Sequence, residues 1–139
     1  MERIHVTSIY GGSKYRHFKN KMYEVIGAVS VRKGNEISPN MIKCKYTAIH
    51  TETGKEYTVI ENIKNKPMDE VFTITDNDID DQNYVLYKSL YDDKIYIRPT
   101  TMFFSDVDKD KYPDVEQKER FKLIEKGNGR YSCVIDWID

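Results

Sequence analysis

The sequence predicts a mainly β fold, a small and strongly twisted β-barrel or roll of the SH3-like kind with little helix. Three observations carry this expectation. Short runs of alternating apolar and polar residues recur along the chain, separated by turn residues. No stretch of useful length repeats with the helical period. And 11 of the 139 residues are tyrosine, whose apolar ring and polar tip suit half-buried strand positions and ligand-contacting surfaces alike. The length fits one domain, residues 1–139. With 39% hydrophobic and 32% charged residues, the chain is too apolar for disorder, yet polar enough that tyrosines must fill out a thin core.

The elements follow in order. Residues 15–19 alternate aromatic and basic side chains, with Tyr15, His17 and Lys19 on one face and Arg16 and Phe18 on the other. Phe18 is the expected core residue, which turns Arg16 inward with it. Asn20-Lys21 predicts a tight turn. Residues 22–31 form the returning strand, where Gly27 marks a bulge or bend. Lys33-Gly34-Asn35 and Ser38-Pro39-Asn40 break the pattern, residues 41–50 resume it, and Gly54 turns the chain toward a strand over 57–60. Residues 61–82 read as a loop holding a short strand at 70–75 and an acidic turn at 76–81. Strong strand sequence returns at 84–91 and 94–98 around Asp92-Asp93.

Pro99 starts a single helical turn, where its missing N–H costs nothing, and residues 114–119 suit another. Strands over 120–125 and 130–138 flank Gly127-Asn128-Gly129, a hairpin signal. Trp137 is expected on the last strand, packed on the barrel, because residues 133–138 are too apolar to stay solvated.

Net charge is −1, which argues against a stable nucleic-acid complex. The distribution is uneven. Residues 1–66 carry 12 Lys+Arg against 6 Asp+Glu, and residues 67–119 carry 6 against 14. Either the two segments fold together and their fields cancel, or one side presents a positive groove to an anionic ligand. No apolar run has the length of a signal peptide or a membrane span, so a cytoplasmic protein with no membrane contact is expected. Cys44 and Cys133 lack a Cys-x-x-Cys spacing and read as two buried free thiols.

No catalytic signature is present, and no cofactor or metal is expected. Asp106-Val107-Asp108-Lys109-Asp110 and Asp76-Asn77-Asp78-Ile79-Asp80 have alternating carboxylates, but lack the Gly and Glu that an EF-hand needs at its sixth and twelfth positions. They read as solvated acidic turns. His5, His17 and His50 share no zinc-ligand spacing. The binding candidates are Arg16, His17, Lys19, Tyr23, Tyr87, Tyr96 and Arg98. Any one of these side chains also suits a structural role, the arginines bracing carboxylates and the tyrosines filling the barrel. Together they offer planar guanidinium forks beside aromatic faces, which is the chemistry that holds a phosphate and stacks a base.

Two blocks of sequence carry a family resemblance. Tyr15-Arg16-His17-Phe18-Lys19 is followed by Tyr23-Glu24-Val25-Ile26-Gly27. Later, Tyr84-Val85-Leu86-Tyr87 and Leu90-Tyr91 precede Arg98-Pro99 and Met102-Phe103. In these blocks the chain resembles the 1653 family of domains of unknown function, small domains of bacteria and their phages. Relative to the compact family pattern, hairpin-sized insertions fall at about 29–46 and 55–83. The resemblance implies a bacterial or phage origin, hence the bacterial or host cytoplasm.

Three functions follow as expectations. The first is a non-catalytic protein that sequesters a small nucleotide-derived, phosphate-bearing ligand such as a host immune signal. The second is an interaction module or inhibitor docking through a Tyr-rich surface, where Tyr and Arg make good hot spots. The third is an enzyme on a nucleotide-like substrate, using His17 with Glu24 as acid and base. The expected partner is a small nucleotide-like ligand, with a homo-oligomer left open.

Overall fold

The alternation along the sequence becomes ten strands among the described residues. They are β1 Arg3–Tyr10, β2 Lys14–His17, β3 Met22–Val31, β4 Ile42–His50, β5 Glu56–Asn62, β6 Phe72–Ile74, β7 Tyr84–Ser89, β8 Ile95–Pro99, β9 Phe121–Glu125 and β10 Tyr131–Ile138. One helical turn, α1 Thr100–Phe103, follows Pro99 as the sequence predicts, and a 3-10 turn spans Pro39–Met41. The computed structural model describes residues 3–63, 71–129 and 131–138, with the side chains of residues 8–10, 132 and 134 in the two terminal strands.

Six strands close into a barrel in the order β3-β6-β5-β4-β8-β7, with β7 returning to β3. Two of these pairings are parallel, β3 with β6 and β4 with β8. Beyond the barrel, the first half of β3 pairs with β2, and β2 pairs with β9. The resulting order β9-β2-β3-β7-β8, with a helical turn between β8 and β9, is the SH3-like roll. Its mainly β, barrel-forming character is the fold class expected from the sequence. The segment between β3 and β7 supplies three walls of the barrel.

The two units share β3, β7 and β8, and each has its own core. Val29, Val31, Tyr57, Val59, Phe72, Ile74, Tyr84, Leu86 and Ile97 fill the barrel. Ile9, Tyr15, Val25, Val85, Tyr87, Phe103 and Phe121 fill the roll. Along β7 the side chains alternate between the two, Tyr84 and Leu86 to one and Val85 and Tyr87 to the other, as period 2 requires. Strand β3 cannot serve both cores by alternation alone, because Val25 and Val29 have the same parity. A bulge between Val25 and Gly27 shifts the register against β7 and flips the following residues to the barrel side. Gly27 is the bulge residue expected there, and its reason is space. A Cβ on Gly27 would lie 2.9 Å from Phe72 Cδ2 and closer still to Cε2.

Several expectations are corrected. Tyr15, not Phe18, is the core residue of β2; Arg16 lies on the opposite face, and Phe18 is half-buried against Tyr112. The Gly127-Asn128-Gly129 segment does not close a hairpin, since β9 pairs with β2 and β10 with β1. Its glycines serve a chain crossing. Gly129 N–H donates to Gly11 O at 2.9 Å, Gly127 N–H to Ser13 Oγ at 2.9 Å, and a Cβ on either glycine would strike the Gly11-Gly12 backbone. Residues 114–119 form no helical turn; Asp114 lies in a turn, and the residues after it carry no regular structure until an isolated bridge between Asp106 and Glu119. Strand β1 was not evident from its short polar alternation. Cys44 is a free thiol, half-buried rather than buried, donating to Glu61 at 3.0 Å. Trp137 falls in β10 opposite Ile4, while the packing expected of its ring, like the burial of Cys133, lies outside the described side chains.

Gly27→Ala is expected to destabilise the protein by about 1–3 kcal/mol, the cost of overpacking a filled site. Urea unfolding measures this. Adding Phe72→Leu should recover part of the loss, and equal stability of Gly27→Ala and the parent would contradict the packing argument.

Candidate functional site

The roll's aromatic core opens at one end into a cavity of about 420 Å³. Its base, Tyr87 and Phe121, is backed by α1. The turn that follows Pro99 carries Phe103 under the sheet, where its ring stacks on Phe121 at 4.1 Å and 6°. Tyr87 meets both rings edge-on at 5.2 and 5.6 Å, and His17 meets Phe121 at 4.9 Å. Tyr23 lies against Tyr87 at 5.5 Å. Edge-to-face and offset contacts of this kind fix ring positions as well as burying area.

On this base stand five cations, Lys19, Lys21, Arg98, Lys111 and Arg120, against one carboxylate, Asp108. The half-buried guanidinium groups are oriented by neutral partners. Arg98 Nε donates to Tyr87 Oη at 3.2 Å, and its guanidinium carbon lies 5.5 Å from the centre of the Phe121 ring. Arg120 Nε donates to Ser105 Oγ at 3.1 Å. Lys19 and Lys111 each place their ammonium group 5.6 Å from the Tyr112 ring centre. Among the described residues none of the five pairs with a carboxylate, whereas Lys14, Lys43, Lys55 and Lys88 all do. Asp108 is partly committed: its Oδ1 accepts the N–H groups of Asp110 and Lys111 at 3.0 and 3.3 Å, holding the turn that presents Lys111.

These charges act on His17. Burial and the nearby Arg98, Arg120, Lys19 and Lys21 lower its pKa to about 4. Its Nδ1 accepts the Lys19 N–H at 3.2 Å, so the neutral ring carries its proton on Nε2. Burial also pushes the Tyr87 hydroxyl up to about 12, with Arg98 opposing.

Of the seven residues expected from the sequence, His17, Lys19, Tyr23, Tyr87 and Arg98 line this cavity. Tyr96 packs behind it, 5.7 Å from Tyr87 and 6.3 Å from Tyr23. Arg16 stands outside. Its Nε donates to Gln117 Oε1 at 3.2 Å, and its carbonyl accepts from Gln117 Nε2 at 3.0 Å, so it anchors the loop carrying Asp108, Lys111 and Tyr112. His17 and Glu24 are not brought together. Glu24 pairs with Lys88 at 3.7 Å and lines a separate depression with Glu61 and Asp93. Sequence reasoning missed Lys21, Lys111, Tyr112, Arg120 and Phe121. The signal available for four of them was a basic residue directly before an aromatic one, at Lys111-Tyr112 and Arg120-Phe121.

The fold and this site define a small, mainly β protein, a closed barrel sharing three strands with an SH3-like roll whose cavity is cationic and aromatic. Residues 64–123 match the family described as "Protein of unknown function (DUF1653)", in agreement with the resemblance seen in the sequence. The match spans β6 to the first half of β9 and contains Tyr87, Arg98, Lys111, Arg120 and Phe121; the block from Tyr15 to Lys19 lies outside it. No curated protein and no solved structure matches the chain. No helix among the described residues is long and apolar enough to cross a membrane.

The depressed His17 pKa has a consequence for stability. Between about pH 6.5, the usual histidine value, and about pH 4 the unfolded chain takes up a proton at His17 that the folded protein does not. Stability should therefore fall as pH drops through this window. His17→Gln is expected to remove that part of the fall in melting temperature, and NMR titration should place the His17 midpoint near 4. A midpoint at the usual histidine value would contradict the assigned environment.

Proposed function

We propose that the cavity binds a small phosphate-bearing, nucleotide-like molecule and holds it without transforming it. The observation that carries this reading is the imbalance of five cations against one carboxylate, with two guanidinium groups held by a hydroxyl or a ring face. Neutral partners orient a guanidinium and leave its charge and remaining N–H donors for an anion. Tyr23, Tyr112 and Phe121 add aromatic surface on which a base can stack. A volume of about 420 Å³ lies within the usual range for small-molecule sites.

Binding is favoured over catalysis by the state of His17. A histidine with a pKa of about 4 is a weak base at neutral pH, and its Nδ1 is already engaged by the Lys19 N–H. In this reading the protein acts in a bacterial cytoplasm by lowering the free concentration of a nucleotide-derived signal, such as an immune signal of a phage's host. A second reading, docking of another protein, is favoured by the exposed Leu90 and Tyr91 beyond β7 and by Leu123 and Ile124 on β9.

The test is to expose purified protein to a bacterial metabolite extract, release what is retained and identify it. A retained phosphate compound is expected. Arg98→Lys should weaken its binding by about 1–3 kcal/mol, since the charge stays but the fork is lost. The same change should lower stability by no more than about 1 kcal/mol, the worth of the hydrogen bond to Tyr87. Calorimetry and melting temperature on one variant measure both. Intact binding in a destabilised variant would return Arg98 to a bracing role and move the docking reading ahead.

A further inference from the structure

We propose that the group this cavity selects is a chain of two or more adjacent phosphates, as in a nucleoside diphosphate or triphosphate, rather than a single phosphate ester. The inference rests on the binding function above and narrows its ligand. Its first ground is charge. Five cations face one carboxylate while His17 is neutral, leaving an excess of four positive charges around one cavity. A single phosphate monoester brings about −1.5 to −2 at neutral pH, so it would leave roughly half of that excess unmatched. A diphosphate ester brings roughly −3, and a triphosphate more.

The second ground is arrangement. The cations stand in two tiers. Arg98 and Arg120 are half-buried, next to the Phe121 ring and Ser105. Lys19, Lys21 and Lys111 are exposed. They come from two separate elements, the β2–β3 turn and the loop over residues 105–119, and Lys19 and Lys111 converge on Tyr112. One phosphate held by both guanidinium groups would leave the outer ammonium groups without an anion to match them. A second phosphate attached to it extends toward that outer tier. The aromatic contact between Phe18 and Tyr112, at 4.9 Å, joins the two elements at the rim, so the outer tier gathers along one edge of the cavity.

Titration calorimetry at one fixed ionic strength tests this, using inorganic phosphate, pyrophosphate, and adenosine monophosphate, diphosphate, triphosphate and cyclic monophosphate. Pyrophosphate should bind at least about tenfold tighter than phosphate, and the diphosphate at least about tenfold tighter than the monophosphate, the scale set by added charged hydrogen bonds. Combining Lys19→Ala with Lys111→Ala removes two exposed charges without touching either core, and should narrow both gaps. Arg98→Lys should weaken every phosphate probe. If mono- and diphosphates bind equally, or the cyclic monophosphate binds tightest, this inference falls while the binding function stands. If the gap survives in the Lys19/Lys111 double variant, the assignment to the outer tier is overturned. If no phosphate compound binds to a protein with unchanged melting temperature, both readings fall together.

Discussion

The architecture depends on one stretch of strand, Tyr84 to Tyr87 of β7, that has no exposed face. β7 is covered by the barrel core on one side and by the aromatic core of the roll on the other, and its two edges pair with β3 and β8. A strand so placed must be apolar at successive positions, and Tyr84, Val85, Leu86 and Tyr87 are all buried. Tyrosine is admissible at the ends of this run because each hydroxyl finds a partner. Tyr84 donates to Asp80 O at 3.0 Å, and Tyr87 accepts from Arg98. Everything else is arranged around the need to cover both faces at once. β3 needs its bulge to serve both cores, and the long segment between β3 and β7 is what supplies the second cover.

The cavity is a by-product of the same arrangement. The stack of Phe103 on Phe121 fills the roll, and its outer edge is left as the base of the opening. Arginines beside such a base lose hydration, yet their partners here are rings and hydroxyls. A guanidinium is weakly hydrated and stacks well on aromatic faces, so it tolerates this setting better than an ammonium would. The ammonium groups of Lys19, Lys21 and Lys111 accordingly stay exposed. The tiering of arginine inside and lysine outside thus follows from desolvation, before any ligand is considered.

What was legible in the sequence was what is decided locally. The Tyr84 to Tyr87 strand, the bulge at Gly27, the turn at Gly54 and the helical turn after Pro99 each rest on neighbouring residues, and each is found. The errors arise where a local signal has a distant cause. Gly-Asn-Gly is a turn signal, but Gly127 and Gly129 answer to Gly11 and Gly12 across the molecule. Tyr15 lies in β2 and Phe18 just past its end, and only the position of Phe103 and Phe121 decides which ring is inside. The partner of Arg16 is Gln117, 101 positions away. For the site, the aromatic and basic blocks located half of the cavity. The remainder comes from a loop whose acidic string suggested only a solvated turn, although Asp108 there shapes the backbone that presents Lys111.

The two parallel pairings have a kinetic meaning. Hairpins such as β4–β5 and β7–β8 join strands that are neighbours in the chain, and their pairing closes small loops. Sealing the barrel is different, because β3 must meet β6 and β4 must meet β8 in parallel, each across a long intervening stretch. Loop-closure entropy has to be overcome before these contacts give anything back. The hairpins are therefore the natural early structures, and closure of the barrel is the natural late step. Until it occurs, the barrel-facing side of β7 stays uncovered, so the interval before closure is when the chain is most exposed to association with other unfinished chains.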